Sequence, residues 1–291
     1  MTARGDSGEG PIRSERHGAV GVVTLDRPER FNSLDVRTAQ DLRRAALRMA
    51  RDGAVRAVVL RGRPGVFCSG VDLAYVRAGG DPAELGYLAP EAHAAGAGPG
   101  AIFKQVLEYV NATIVEIRRA PKPVIAAVDG IAAAGGLGLA LCCDLVLASE
   151  RAAFEWAYGK TGLSGAESAT FFLPRLVGLR GALDLALLSP RLDARAALAR
   201  GLVSEVHPVD GFDDAVLDTA RRLAEGPTEA YARMKRLLDR AAGMDGLEAQ
   251  LSAEVEALVA SADGAEFAEG LERFFARKGP PGGGARGGER A

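Results

Sequence analysis

The sequence predicts an α/β fold in which short buried strands alternate with helices and an α-helical region closes the chain. Three observations carry this. Apolar runs of strand length recur between residues 18 and 200, with helical patterns between them. After Gly201 the pattern becomes almost wholly helical. Over 291 residues, 48% are hydrophobic and 25% charged, the balance of a globular chain able to bury a sizeable core.

In chain order, residues 1–17 lack periodicity and read as a disordered tail. "AVGVVTL" (19–25) is the first strand and "DVRTAQDLRRAALRMAR" (35–51) the first helical pattern. "VRAVVLRG" (55–62), "PVIAAVDG" (123–130) and "DLVLAS" (144–149) are further, mostly buried strands. Residues 79–100, rich in Gly, Pro and Ala, are long for a passive connection and read as a lid or a surface insert. The core therefore spans 18–200. Periodic stretches at 216–226, 228–243, 247–261 and 265–278 make 201–278 a helical region, and the Gly- and Arg-rich residues 279–291 read as a second disordered tail.

A net charge of -2, with no Lys/Arg cluster interleaved with aromatics, argues against a nucleic-acid partner. Three cysteines, two of them adjacent at Cys142 and Cys143, have neither disulfide nor zinc spacing and suit a reducing compartment. No apolar run reaches the roughly 18 residues of a membrane span and no signal-peptide core opens the chain, so a cytoplasmic location is expected.

The stretch "GIAAAGGLGLALCCD" (130–144) places Gly135, Gly136 and Gly138 at the start of an apolar helix, where each glycine costs about 1 kcal/mol relative to Ala. A P-loop is excluded, because Gly136 stands where Lys is required. The dinucleotide pattern is excluded, because Leu141 stands where its last Gly belongs. Two readings remain: a site for a transient oxyanion, or glycines that merely let helix and strand pack closely.

A second segment, "PGVFCSGVDLAYV" (64–76), runs from a Pro-Gly turn through Ser69, Gly70, Val71, Asp72 and Leu73 into a short helix. Together with "HGAVGVVTLDRPERFNSLD", "PKPVIAAVDGIAAAGG", "LPRLVG" (173–178), "ARGLVSEV" (199–206) and "GLERFFARK", it closely resembles the enoyl-CoA hydratase/isomerase family, also called the crotonase superfamily. The resemblance covers about residues 18–278. It implies a crotonase-like spiral of β-β-α units whose C-terminal helices, here 201–278, assemble homotrimers or dimers of trimers. It also implies a thioester substrate, carried by coenzyme A or an acyl carrier, and no cofactor or metal, coenzyme A being part of the substrate.

In that family two backbone amides polarise the thioester carbonyl, and by position these are the amides of Val71 and Gly135. Removing one such donor costs about 10²- to 10³-fold in rate. Gly136 is then expected to be bare so that a thioester fits. The resemblance assigns substrate contacts to Arg30, Ser69, Gly70, Asp72, Leu73 and Lys278; by residue chemistry, Arg30 and Lys278 are also plain solvated charges and Asp72 an N-cap.

The chain departs from the family's hydratases, which use two glutamates. Their positions are Gly138 and Tyr158 here, so both acid and base of hydration are missing. Other members carry one carboxylate in a "GL-x-P-D" segment; here Ala166 is the aligned residue and Glu167 its neighbour. Glu167 is therefore the candidate base, with a competing role in the capping box Ser164-x-x-Glu167. Tyr158 either hydrogen-bonds an intermediate or lines an acyl pocket with Trp156. Glu155, Glu116 and Tyr109 border the pocket in relatives, although Glu116 has Arg119 as a helix partner. Of His17, His93 and His207, only His93 is placed to reach the site.

The expected function is acyl-CoA chemistry through an enolate, with double-bond isomerisation first. The alternatives are an enoyl-CoA hydratase or thioester hydrolase with atypical acid and base residues, and a non-catalytic acyl-CoA or acyl-carrier binding protein.

Overall fold

A computed structural model describes residues 10–85 and 98–278. The first correction comes at once: residues Ile12–His17 are not a tail but a strand, β1, paired antiparallel along its whole length with β2, Val20–Leu25. Ile12 and Ser14 point inward and Arg13 outward, so a charged face had hidden an edge strand.

The larger sheet continues from β2 through three parallel neighbours, β3 (Ala57–Gly62), β5 (Val124–Val128) and β7 (Leu145–Ser149). Each of these is followed by a short strand that leaves for a second sheet: β4 (Val66–Cys68), β6 (Ile131–Ala133) and β8 (Ala153–Glu155). The smaller sheet is completed by β9, Leu192–Asp193, and the larger by β10, Glu205–His207. This strand pairing, repeated along the chain with helices between, is the spiral of β-β-α units.

The first helix, α1 (Val36–Arg51), starts at Asp35, whose carboxylate accepts from the Thr38 amide at 2.8 Å. The short α2, Leu73–Arg77, is capped the same way by Asp72. The long α3 spans Pro99–Arg119, so residues 99 and 100 of the expected insert belong to a helix. Leu85 is buried at the other end of that segment; residues 86–97, with His93, lie outside the described residues.

After α4 (Gly135–Leu141) come α5 (Ala169–Leu188), kinked at Gly178, and α6 (Ala194–Ala199). Between residues 202 and 278 lie β10 and four α-helices: α7 (Phe212–Glu225), α8 (Thr228–Ala241), α9 (Leu247–Ala262) and α10 (Ala265–Lys278); residues 279–291 lie outside the described residues. Phe212, Val216 and Ala220 of α7 cover one face of the larger sheet, packing on Val22, Val59 and Ile125. Strands β2, β3, β5 and β7 are thus largely buried on both faces, which is why they read as nearly unbroken apolar runs.

The smaller sheet positions the site. β4, β6 and β8 lie side by side and parallel, with Cys68 beside Ala132 and Ala133 beside Glu155. Their carboxyl ends deliver Val71, Gly135 and Tyr158 to one edge within three residues of leaving the sheet.

The glycines of α4 are explained by this packing. A Cβ on Gly136 would lie 2.0 Å from the Cys68 carbonyl oxygen, and one on Gly138 would lie 1.8 Å from the Glu167 carbonyl oxygen. Gly136 is bare so that strand and helix backbones can meet, which corrects the expectation of room left for a thioester. Gly136→Ala is expected to destabilise the fold by about 3 kcal/mol or more in urea unfolding, since the obstructing atom is backbone and cannot rotate away.

Candidate active site

Peptide geometry aims the two amides. After β4, the Leu34 amide donates to the Gly70 carbonyl and the Asp72 amide to the Leu34 carbonyl, both at 2.9 Å. A trans peptide sets its N–H opposite its C=O, so the Val71 amide faces away from Leu34. At the head of α4, the Ala134 carbonyl accepts from the Leu137 and Gly138 amides at 2.9 and 3.3 Å, while its own amide donates to the Glu155 carbonyl at 3.1 Å. The Gly135 amide therefore points out of the helix, among the unpaired donors of a first turn. Ala134 sits at φ 47°, a left-handed conformation that costs a residue with a Cβ about 1–3 kcal/mol. Among the described residues neither amide has a protein acceptor, and the two segments touch: a Cβ on Gly70 would lie 2.8 Å from the Gly135 nitrogen.

Glu167 lies against this pair. Its side chain is 1% exposed, and a Cβ on Gly135 would fall 2.4 Å from its Oε1. Oε2 accepts from the Tyr158 hydroxyl, which also has the Ala166 carbonyl at 2.9 Å. Burial pushes the Glu167 carboxyl up to about 7, against the opposing effect of the Tyr158 hydrogen bond. Burial and the adjacent carboxylate push the Tyr158 hydroxyl well above its ordinary range, so it stays protonated and donates. Trp156 packs edge-on against Tyr158, ring centroids 5.1 Å apart, and walls the Gly165 turn, where a Cβ would strike the indole at 2.4 Å. Cys68, buried beside Glu167, is pushed up to about 12 and remains a thiol.

The capping-box role for Glu167 is not what the structure shows. Ser164 is exposed, and the next helix begins only at Ala169 with Ser168 as its N-cap. Glu167 and Ser168, at φ 52° and 66°, form a left-handed corner that turns the carboxylate inward.

Asp72 is engaged within the protein. One carboxylate oxygen accepts from the Ala74 and Tyr75 amides, Arg30 grips both oxygens from 2.7 to 3.0 Å, and Arg27 lies 3.3 Å away. Burial alone would raise this carboxyl, but the Arg30 guanidinium holds it below its ordinary range. Arg30 itself is 39% exposed and, among the described residues, is tied to the segment of Ser69, Gly70 and Leu73 only through its ion pair with Asp72. Lys278 ends α10, and its side chain lies outside the described residues. Glu155 pairs with Lys160, and Glu116 with Arg51 at 3.6 Å rather than with Arg119, which reaches Glu248 instead. His17 and His207 pair with Glu15 and Glu205 on their own strands, away from Glu167.

One residue that sequence reasoning missed is Glu254, 3% exposed on α9. Its signal was available: Leu247, Leu251, Glu254 and Leu258 form one buried helical stripe, and an acid in such a stripe is costly without partners.

Known proteins similar to this chain share one family and fold. Residues 15–283 match the family model described as Enoyl-CoA hydratase/isomerase. A Rhodobacter capsulatus protein named "Probable enoyl-CoA hydratase" is 36% identical over 92% of this chain and 96% of its own length. The 1,2-epoxyphenylacetyl-CoA isomerase of Escherichia coli K12 is 31% identical over 92% of this chain and 97% of its own. The crystal structure of an enoyl-CoA hydratase from Mycobacterium avium subsp. paratuberculosis K-10 superposes with a TM-score of 0.79 at 30% identity, covering 92% of this chain and 96% of that one.

The raised carboxyl has a consequence for stability. With its folded-state value near 7 against an ordinary 4.5, Glu167 favours folding fully below about 4.5 and loses that contribution as pH rises to about 7. The ionised form then costs about 3 kcal/mol. Glu167→Gln is expected to melt above the wild-type protein at pH 8, with the difference shrinking toward pH 4.5 in thermal unfolding.

Proposed function

The chain belongs to the enoyl-CoA hydratase/isomerase family, and from that membership we propose that it moves a proton between carbons beside an acyl-CoA carbonyl, shifting a double bond. One observation carries the reading: the buried Glu167 carboxyl, raised to about 7, has its Oε1 against one of two outward-facing amides. The Val71 and Gly135 amides hold the thioester oxygen. Glu167 Oε1 takes a proton from the α-carbon, the electron pair moves to that oxygen as an enolate, and the same carboxyl returns the proton at the γ-carbon. Each amide is worth about 3–4 kcal/mol on the developing charge. Tyr158 holds Oε2, leaving Oε1 free to react.

Hydration needs two carboxyls around a water, and the first of their positions, Gly138, is closed by the Glu167 carbonyl. Arg30, oriented by Asp72, is placed to meet the phosphates of coenzyme A.

Self-association belongs to the same reading. Beyond the kink of α5, Leu179, Leu183 and Leu187 are exposed on one helical face, and Met234, Leu237 and Leu238 on α8. Leu183→Asp with Leu187→Asp is expected to reduce a trimer to the 30.3 kDa chain in analytical ultracentrifugation.

The catalytic test is α-deuteration of saturated and unsaturated acyl-CoAs in D₂O, followed by mass spectrometry. Glu167→Gln is expected to slow exchange by about 10²- to 10⁴-fold, and Tyr158→Phe by less. Exchange unchanged in Glu167→Gln assigns the base elsewhere; a bound thioester that never exchanges marks a binding protein.

A further inference from the structure

We propose that Glu254 is a positioning residue for Glu167: from α9 it caps the corner that carries the base and sets a second negative charge behind it. The proposal rests on Glu167 acting as the base. Helix α5 begins after two successive left-handed residues, and its N-cap, Ser168, supplies no side-chain cap. The missing cap comes from a residue 86 positions away. Glu254 Oε2 accepts from the Ser168 amide at 2.8 Å, and Oε1 accepts from the Thr170 amide at 3.1 Å and from the Thr170 hydroxyl. Gln250, one turn earlier on α9, donates to that hydroxyl oxygen at 2.8 Å.

These bonds fix the first amides of α5, and with them the direction in which Glu167 leaves the corner. The flanking Leu251 and Leu258 are buried, so an apolar residue would satisfy the packing at this position. An acid there is instead matched to the corner it caps. Three titratable groups act around Glu167: the Tyr158 hydroxyl favours its charged form, the Glu254 carboxylate disfavours it, and the Cys68 thiol stays neutral. Burial is the main cause of the raised Glu167 carboxyl and Glu254 adds to it; burial raises the Glu254 carboxyl too, while its Thr170 and Ser168 donors favour the ionised form.

The test is Glu254→Gln, which keeps the shape and removes the charge. The carboxyl stretch of Glu167, identified by its absence in Glu167→Gln, is titrated by difference infrared spectroscopy in the intact protein. Its midpoint is expected to move to lower pH, and α-deuteration to slow at least about tenfold from lost aim. An unmoved midpoint in folded Glu254→Gln overturns the proposal. The infrared midpoint needs no turnover, so a wild-type protein without exchange would sink the isomerase reading while the placement of Glu254 is still decided. Where Glu254→Gln does not fold, Thr170→Val removes one donor and leaves the charge: exchange slowed about tenfold supports the capping role, and wild-type exchange overturns it.

Discussion

Backbone meets backbone at the first turn of α4, and the rest of the site depends on that contact. The Cys68 carbonyl and the Glu167 carbonyl approach this turn so closely that a single methyl at Gly136 or Gly138 would overlap them. The contact seats α4 against β4 on one side and brings the Glu167 corner down on the other. It leaves the Gly135 amide at the meeting point of three chain segments, those of Gly70, Ala134 and Glu167.

Asp72 and Glu167 show what burial does to a carboxyl with and without a cation. Asp72 is buried among Arg30, Arg27 and two helix amides, and its proton is held off. Glu167 is equally buried, but its immediate partner is a hydroxyl and the charge behind it is another carboxylate. The first environment yields a fixed anion that organises α2 and Arg30. The second yields a carboxyl raised to about 7, so that environment alone separates a fixed anion from a group that titrates near neutral pH. The left-handed residues Ala134, Glu167 and Ser168 mark where the backbone is strained to bring this about.

Much of the fold was legible in the sequence because burial leaves an unbroken apolar signature: β2, β3, β5 and β7 fall within a few residues of the apolar runs that predict them. The β1 strand was not legible, since Arg13 and Glu15 on its outer face imitate a polar tail and only pairing with β2 distinguishes the two. At the site, the positions of Gly135, Gly136, Gly138 and Glu167 were visible, but the physical reason for the glycines was not. Their neighbours, Cys68 and Glu167, are remote in the chain, and spacing along one segment carries no information about what packs on it. Ser164 and Glu167 satisfied a local capping pattern that the left-handed turn at Glu167 and Ser168 overrides.

Packing on α4 also bears on the absence of carboxyls at positions 138 and 158. A glutamate at position 138 would have to project from α4 into the space that the Glu167 carbonyl occupies, 1.8 Å from the first side-chain atom. A carboxyl at 158 would sit where the Tyr158 hydroxyl donates to Glu167, putting two acids in one dry pocket and forcing one to remain protonated. The hydratase pair and the Glu167 corner therefore exclude one another sterically at the first position and electrostatically at the second. Once the loop before α5 lowers Glu167 onto α4, a bare glycine at 138 and a neutral donor at 158 are what the packing and the charge balance require.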